Sequence, residues 1–249
     1  MTADNVQPAG LRQLWMEAFG DPAEVPNTFF ATAFSPNRYK AIWENNRPVS
    51  ALYWLTCTCQ DRPFAYIYAA ATSNVFRGKG YFRQLLNETH AQLRQEGYAG
   101  AVLVPGESNL FALYEKFGYR ILNTVQEFSC LPGPQPVPMR AVDTLQYARA
   151  RRKFLPNGGL LQEGETLEYL QTYAVFYESD DFVLAATQQN DCLLVHELLG
   201  NRHAVPGILR ALNLSRGQFR APGPGRDFAM FLPLQEDCPI PSYFGLALD

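Results

Sequence analysis

One segment, residues 64–119, constrains the fold of this chain more than any other. It begins with Phe64–Thr72, a charge-free run of aromatic and small residues that predicts a mostly buried strand. The turn Arg77–Gly80 follows, with the sequence Arg-Gly-Lys-Gly, and then Tyr81–Gln95, whose apolar residues recur at helical spacing. Gly97 is placed to end that helix. This order predicts an α/β fold with the glycine turn at the N-terminus of a helix.

The glycine turn has the features of a phosphate site. Gly78 and Gly80 permit backbone angles forbidden to other residues, and they present no Cβ to a ligand. Unpaired N–H groups and the positive end of the dipole favour a phosphate at a helix N-terminus. Arg77, Lys79 and Arg83 add positive charge. A Gly-x-Gly alone is usually only a turn, so its position between strand and helix carries the prediction.

The run Ala69–Ala71 is unusual because alanine is a poor strand former. Two interpretations stay open. Small side chains let a ligand approach the backbone of the strand, or they make room for a packed helix.

The second half of the segment predicts another strand and a short helix. Ala101–Val104 is a buried run stopped by Pro105. Leu110, Leu113, Tyr114 and Phe117 then follow helical spacing, and Gly118 ends the helix. Tyr114 is either a core aromatic residue or a side chain that can donate a proton.

These features resemble the GNAT-superfamily N-acetyltransferases. Arg77–Gly80 is similar to the family's Arg/Gln-x-x-Gly-x-Gly/Ala motif, and Leu113–Tyr119 is similar to its Leu-Tyr-x-x-x-Gly-Phe/Tyr motif. The two motifs occur in the expected order, with a strand between them. The resemblance implies the α/β (α+β) GNAT acyltransferase fold, a mixed central sheet flanked by helices. It also implies transfer of an acetyl group from acetyl-CoA, as co-substrate and without a metal, to an amine.

The resemblance implies roles for individual residues. The backbone of Ala70, Ala71 and Thr72 would pair with the pantetheine arm of coenzyme A. Asn109 would lie near the thioester. Tyr114 would protonate the departing thiolate, since a tyrosine with a pKa of about 10 is protonated at neutral pH. The pyrophosphate would be held by the turn and the start of the helix, that is by Arg77, Gly78, Lys79, Gly80, Tyr81, Phe82 and Arg83.

The sequence departs from the family pattern in two places. Phe82 stands at the last Gly/Ala position of the first motif, where we expect altered packing and not lost binding. Glu107 stands where many members carry an asparagine, seven residues before the tyrosine, and Asn109 is a candidate for that role.

The general base is not evident. Some members place a glutamate on the central strand, but Phe64–Thr72 has no acid. The candidates are a water chain and the carboxylates of Glu44, Glu127 and Asp249. Asp249 is a candidate because one tandem group of GNAT proteins, the "enhanced intracellular survival" group, uses the C-terminal carboxylate of the chain as base.

Composition limits the partners. The 249 residues, 47% hydrophobic and 18% charged, can form one large or two small domains. A net charge of −3 provides no broad basic surface for nucleic acid, and no run approaches the roughly 18 apolar residues of a membrane span. Met1–Asn5 lacks the start of a signal peptide. We expect a monomer or homodimer that acts on a small-molecule or peptide amine, with neither nucleic acid nor membrane as partner.

The five cysteines predict a cytoplasmic protein. Their number is odd, and only Cys57 and Cys59 are close in sequence. A zinc site needs about four ligands, and no suitable partners are spaced for one. Free thiols in a reducing cytoplasm are therefore expected.

The residues before the central segment also fit the fold. Leu11–Phe19 is amphipathic and predicts a first helix. Tyr39–Glu44 and Val49–Cys57 predict a strand pair that turns at Asn45–Pro48.

Four prolines in Leu131–Pro138 predict a stiff connector. We therefore expect a GNAT domain with the acetyl-CoA site in residues 1–130, a proline-rich linker in 131–139, and a smaller, degenerate GNAT-like domain in 140–249. The last part repeats the order of helices and strands, and so resembles a second GNAT-like copy. Val195–Leu198, followed by a predicted helix, resembles the tandem "enhanced intracellular survival" group. Leu199–His203 stands where the second glycine turn would be and has one glycine, which predicts a single acetyl-CoA site.

Three histidines offer little support for catalysis. His196 and Glu197 are adjacent in a predicted strand and so point to opposite faces. His90 and His203 are expected on exposed helix faces.

Two other functions stay open from sequence. One is a non-catalytic acyl-CoA-binding sensor or interaction protein. The other is a nucleotide-binding protein, although the chain lacks the Gly-x-Gly-x-x-Gly and Gly-Lys-Ser/Thr forms at this turn.

Overall fold

The computed structural model describes the backbone of residues 6–248 and the side chains of residues 8–248. Met1–Asn5 and the candidate base Asp249 lie outside the described residues. The chain forms two compact units. The first comprises Met1–Cys57, Asp61–Leu103 and Pro233–Pro239, and the second comprises Thr58–Gln60, Val104–Leu232 and Ile240–Asp249. The domain boundaries expected at residues 130 and 140 stay a prediction.

The first unit is a mixed sheet with helices, as the sequence predicted. Its elements are α1 (Val6–Phe19), α2 (Glu24–Thr32), β1 (Tyr39–Glu44), β2 (Arg47–Cys59), β3 (Arg62–Thr72), α3 (Tyr81–Gln95) and β4 (Gly100–Leu103). The strand order is β1-β2-β3-β4. β1 and β2 are antiparallel, and β3 and β4 are parallel.

Local sequence explains these elements. β1 and β2 turn at Asn45 and Asn46, whose φ angles of 49° and 62° lie in the left-handed region that asparagine tolerates. α3 has the predicted bounds and is followed by Gly97 with φ 82°. α1 and α3 both pack on β3, and the glycine turn connects β3 to α3.

The prediction that His90 is exposed is wrong. His90 is 4% exposed and lies on the buried face of α3, one turn after Leu86 and next to Thr89. The apolar stripe of α3 is wide enough to include it, because positions i and i+4 share a helix face. Burial, and to a lesser extent the charge of Arg94, lowers the pKa of His90 to about 4.

His90 is expected to make the protein less stable in mild acid. As pH falls below the ordinary value of 6.5, the unfolded chain binds a proton that the folded chain does not bind until about pH 4. The stabilising effect of the neutral ring is therefore lost across this window, by at most roughly 3 kcal/mol. Denaturant unfolding of wild type and His90→Leu between pH 7 and 4 measures the difference, and parallel curves for the two proteins would contradict it.

The second unit is a larger mixed sheet. Its elements are α4 (Phe111–Glu115), β5 (Arg120–Cys130), β6 (Arg140–Val142), α5 (Thr144–Phe154), β7 (Leu161–Gln162), α6 (Glu165–Leu170), β8 (Val175–Glu178), β9 (Phe182–Gln189), β10 (Cys192–Gly200), α7 (Val205–Ala211), β11 (Arg216–Pro222) and β12 (Arg226–Pro233). The strand order is β12-β5-β11-β10-β9-β8-β6.

The second unit repeats one arrangement of the first. β10 and β11 are parallel and are joined through α7, as β3 and β4 are parallel and joined through α3. The proline-rich segment has neither helix nor strand. Its backbone bonds to the start of α7, with the Gly133 N–H donating to the Pro206 carbonyl at 2.8 Å. This segment therefore lacks regular secondary structure and is hydrogen-bonded to a helix, and its stiffness stays a prediction.

His196 and Glu197 have different partners, as their opposite orientations predicted. Glu197 is 1% exposed and accepts from Arg151 of α5 at 2.6 and 2.9 Å. The ring of His196 bonds to Thr187 of β9 at 2.8 Å. The buried ion pair holds α5 on β10, and removing either partner alone would leave an uncompensated buried charge.

Within residues 6–248, no helix is both long and apolar enough to cross a bilayer, and no group of three His, Cys, Asp or Glu side chains could hold a metal ion. All five cysteines are free thiols.

Candidate active site

The glycine turn needs its glycines and leaves space in front of them. After β3 the chain makes a short 3₁₀ turn, Asn74–Phe76, and becomes extended at Arg77. Gly78 and Gly80 have φ angles of 76° and 87°, in the region that L side chains rarely adopt. A Cβ placed on either residue would meet nothing within 4 Å. The turn therefore combines a conformation specific to glycine with open space where a ligand could lie.

The turn leads into the open end of α3. Gly80 is the N-cap residue, and no side chain caps the helix there. The first helical bond runs from the Gln84 N–H to the Gly80 carbonyl at 3.0 Å. The N–H groups of the first helical turn are thus directed out of the helix end, toward the open space at the glycines. Together with the helix dipole they form a suitable environment for an anion.

Three cationic side chains surround this end of α3. Arg77, Lys79 and Arg83 are all exposed. The Arg77 Nε–H donates to the carbonyl of Thr72 at 3.3 Å, and the Lys79 ammonium lies 4.9 Å from the centre of the Phe76 ring. Their positions around the turn favour binding of a group with several negative charges, such as a pyrophosphate.

β3 leaves its neighbour before it reaches the turn. The parallel ladder between β3 and β4 covers Phe64–Tyr66, whereas β3 continues to Thr72. Ala69 has φ 47°, which is rare for a residue with a side chain and marks a local kink in the strand. Beyond the ladder, the β4-side edge of β3 is suited to pairing with an extended ligand in the manner of an added strand.

The three alanines of β3 do not all have the same role: one makes room for a helix, and two allow a ligand to approach the backbone. Ala71 is 6% exposed and belongs to a cluster with Leu11 and Leu14 of α1, so its small side chain makes room for a helix. Ala69 and Ala70 are partly exposed, as an approach of ligand to the backbone requires.

The end of β3 is held by β2. The Ser50 hydroxyl donates to the carbonyl of Ala71 at 3.0 Å and lies 2.8 Å from the hydroxyl of Thr72. The backbone that the resemblance assigns to the pantetheine arm is therefore fixed in place.

Tyr114 and Asn109 belong to the second unit, whereas the residues from Ala70 to Arg83 belong to the first. Tyr114 is 8% exposed on α4, and its ring contacts that of Tyr119 edge to face, with centroids 5.8 Å apart. Burial raises the pKa of Tyr114 to about 12, so its hydroxyl is protonated at neutral pH. Both interpretations, core aromatic and proton donor, agree with this position.

Asn109 is exposed on a 3₁₀ turn, Ser108–Leu110, that leads into α4. Its side-chain amide donates to the Glu107 carboxylate at 3.3 Å. The two residues considered for the family's asparagine position are thus in contact with each other.

The candidate bases differ in their surroundings. Glu44 accepts a hydrogen bond from the hydroxyl of Tyr81 at 2.8 Å, and this bond raises the pKa of Tyr81. Glu127 accepts from Arg226 at 2.8 and 2.9 Å and from Arg220 at 3.1 Å. The hydrogen bond from Arg226 is the main reason that the pKa of Glu127 is lowered, and it makes Glu127 a poor proton acceptor.

Glu17 lies beside the turn, although no sequence pattern points to it. This residue, near the end of α1, accepts a hydrogen bond from the Ser73 hydroxyl at 2.7 Å and from the Asn74 N–H at 3.0 Å. It lies 56 residues before Ser73 in the sequence, and no local pattern links the two.

The turn after β10 differs from the turn after β3. A Cβ on Gly200 would meet the Asp181 carbonyl at 2.3 Å, so this glycine allows close packing and leaves no open space. The Asn201 side chain accepts from the His203 N–H at 3.0 Å and so occupies a donor at the start of the turn. α7 is also only seven residues long. These features disfavour a second phosphate site.

Comparison with solved structures shows the same fold over nearly the whole chain. A GCN5-related N-acetyltransferase from Anabaena variabilis superposes with a TM-score of 0.72 at 15% identity, over 94% of this chain and 71% of that one. A putative acetyltransferase from Pyrococcus horikoshii gives 0.67 at 13% identity, over 99% and 92%. A tandem GNAT protein from the clavulanic acid biosynthesis pathway gives 0.57 at 10% identity, over 94% and 97%. At these identities the likeness establishes the fold.

Sequence comparison identifies the family of the first half. No curated protein matches the chain. The family model for the acetyltransferase (GNAT) domain matches residues 5–122, which include the glycine turn, β3, α3 and Tyr114. Residues 5–122 therefore belong to the GNAT acetyltransferase domain family, within a chain whose fold is that of GNAT proteins.

Proposed function

We propose that this protein is an N-acetyltransferase that moves an acetyl group from acetyl-CoA to a primary amine by direct attack. The observation that carries the proposal is the open glycine turn at the start of α3, next to a strand edge that extends past its partner. Both lie within residues 5–122, which match the GNAT acetyltransferase domain model. The match to the acetyltransferase domain model supports acyl transfer in general, and the choice of acetyl donor and amine acceptor is our inference.

The residues of the first unit would bind coenzyme A. The strand edge at Ala70–Thr72 would bond to the amides of the pantetheine arm. The amides between Gly78 and Arg83 would hold the pyrophosphate, and Arg77 and Lys79 would balance its charge. Phe82 stands at the last Gly/Ala position of the family motif, and we expect this departure to alter packing and not binding.

The chemical step would need one acid and one base. The lone pair of the amine attacks the thioester carbon, the carbon–sulfur bond breaks, and the thiolate takes the proton of the Tyr114 hydroxyl. Tyr114 is then reprotonated from solvent. The raised pKa of Tyr114 means that its hydroxyl is protonated at neutral pH, although it is a weaker acid than an exposed tyrosine.

The attacking amine must also lose a proton. Glu127 is the least suited of the candidates, since two arginines stabilise its charged form. Glu44, Asp249 and a water chain remain as acceptors, and no metal is needed for any of these steps.

The five free thiols support a location in the reducing cytoplasm.

A non-catalytic acyl-CoA-binding protein is the second candidate. The burial of Tyr114 favours it, because a packed tyrosine need not donate a proton. Both candidates bind the cofactor, and turnover separates them.

A thiol-release assay with a panel of amines tests the proposal. Small primary amines, polyamines, amino acids and peptides would each be mixed with acetyl-CoA and the protein. Release of free coenzyme A that depends on at least one amine is expected. Binding of acetyl-CoA without release for any acceptor would favour the non-catalytic function.

A further inference from the structure

The carboxylate of Glu17 accepts three hydrogen bonds, two of them from the residues that follow β3. One carboxylate oxygen accepts from the Ser73 hydroxyl at 2.7 Å and the Asn74 N–H at 3.0 Å, and the other accepts from the Arg47 guanidinium at 3.0 Å. Asn74 begins the 3₁₀ turn that leads to Gly78, and no side chain from within the turn caps it. α1 therefore supplies the cap for the segment that precedes the glycine turn.

Glu44 acts on the other end of the same segment. Its carboxylate accepts from the hydroxyl of Tyr81, the first residue of α3, at 2.8 Å. Glu44 and Arg47 are paired residues at the end of the β1–β2 hairpin, so the hairpin contacts both Glu17 and Tyr81. Two carboxylates from outside the turn thus hold residues 73–74 on one side and residue 81 on the other.

The glycine turn needs such support. Gly78 and Gly80 have the widest backbone freedom of any residue, and ordering them costs more conformational entropy than ordering other residues. Ser73, in contrast, is fully buried, with its N–H bonded to the Val49 carbonyl at 2.9 Å. Fixing both ends of the turn lowers the cost of arranging its amides around a pyrophosphate.

We propose that Glu17 and Glu44 are positioning residues for coenzyme A, which hold the two ends of the glycine turn in the geometry that binds the pyrophosphate. This inference rests on the proposed function. Neither carboxylate would touch the cofactor.

The sign of the effect separates this role from simple electrostatics. A carboxylate near an anion repels it, so removal of that charge alone should tighten binding of coenzyme A. If the carboxylate positions the turn, its removal should weaken binding. Glutamine at position 17 keeps an oxygen that can accept from Ser73 and Asn74 but removes the charge, so this variant should bind coenzyme A at least as well as wild type.

The test is calorimetric titration of the full chain with coenzyme A. We expect Glu17→Ala to weaken binding roughly 10- to 100-fold, and Glu17→Gln to stay within about threefold of wild type. Tyr81→Phe, which loses only the bond to Glu44, should weaken binding by about three- to tenfold. Glu96→Ala is the matched control, since Glu96 is an exposed carboxylate at the far end of α3, bonded to Gln92.

Kinetics supply a readout that a general loss of structure would not give. With any amine that supports turnover, Glu17→Ala should raise the KM for acetyl-CoA while kcat at saturating acetyl-CoA and the KM for the amine stay near wild type. Tyr81→Phe adds an isosteric variant should Glu17→Ala fold poorly.

The outcomes are distinct. Suppose that wild type binds coenzyme A and that Glu17→Ala and Tyr81→Phe bind it equally well or more tightly. That result would overturn this inference and leave the proposed function intact. Wild type that does not bind coenzyme A would overturn the proposed function itself.

Discussion

Replacing Tyr114 with phenylalanine should lower turnover by roughly 10²- to 10⁴-fold, with binding of acetyl-CoA unchanged. The substitution removes only the hydroxyl, so the buried ring and its contact with Tyr119 persist. Without that proton the thiolate would leave unprotonated, which is slower. Steady-state thiol release gives the rate, and the rise in melting temperature with acetyl-CoA checks that the cofactor still binds.

Tyr119→Phe is the matched control for this experiment. Tyr119 is 2% exposed, is the edge-to-face partner of Tyr114, and also follows α4 closely in sequence. Its variant should keep turnover near that of wild type. Turnover in Tyr114→Phe equal to that of wild type would make Tyr114 a packing residue and would leave the proton donor to another group.

Replacing Gly80 with valine should abolish the stabilisation of the protein by acetyl-CoA. A ligand at 100 times its Kd stabilises the native state by about 2.7 kcal/mol, which corresponds to a shift of roughly 5–10 °C for a chain of this size. Valine disfavours the φ of 87° at Gly80, and its side chain would fill the open space in front of the helix end. Thermal unfolding with and without acetyl-CoA measures the shift.

Gly97→Val controls for the strain. Gly97 lies at the other end of α3, has φ 82°, and likewise has nothing within 4 Å of an added Cβ. Both variants should therefore unfold at lower temperature than wild type, but only Gly80→Val should lose the ligand-induced shift. A full shift in Gly80→Val would show that acetyl-CoA binds elsewhere.

Sequence could predict the parts of the site that depend on neighbours in the chain. The start of α3 follows from the glycines and from the apolar spacing after Tyr81, both local signals, and the structure has the predicted bounds. The β1–β2 turn follows from Asn45 and Asn46 in the same way. The pairing of β3 and β4 through a helix is also a property of a short segment.

Sequence could not predict contacts that the fold creates over long distances. The bond between Glu17 and Ser73 spans 56 residues, and the bond between Glu127 and Arg226 spans 99. Nothing local marks Glu17 as a cap for a distant turn, or Glu127 as a carboxylate held by two arginines. The burial of His90 was missed for a related reason, since the width of the apolar face of α3 depends on what packs against it.

Isothermal titration of the 249-residue chain with acetyl-CoA tests the central claim most directly. We expect one site per chain. The turn before α3 has open space at its glycines, whereas at the turn after β10 the Asn201 side chain already accepts from a backbone N–H. Binding with a stoichiometry of one, lost in Gly80→Val, is the expected result. No heat at millimolar acetyl-CoA, or two equivalent sites per chain, would contradict the account.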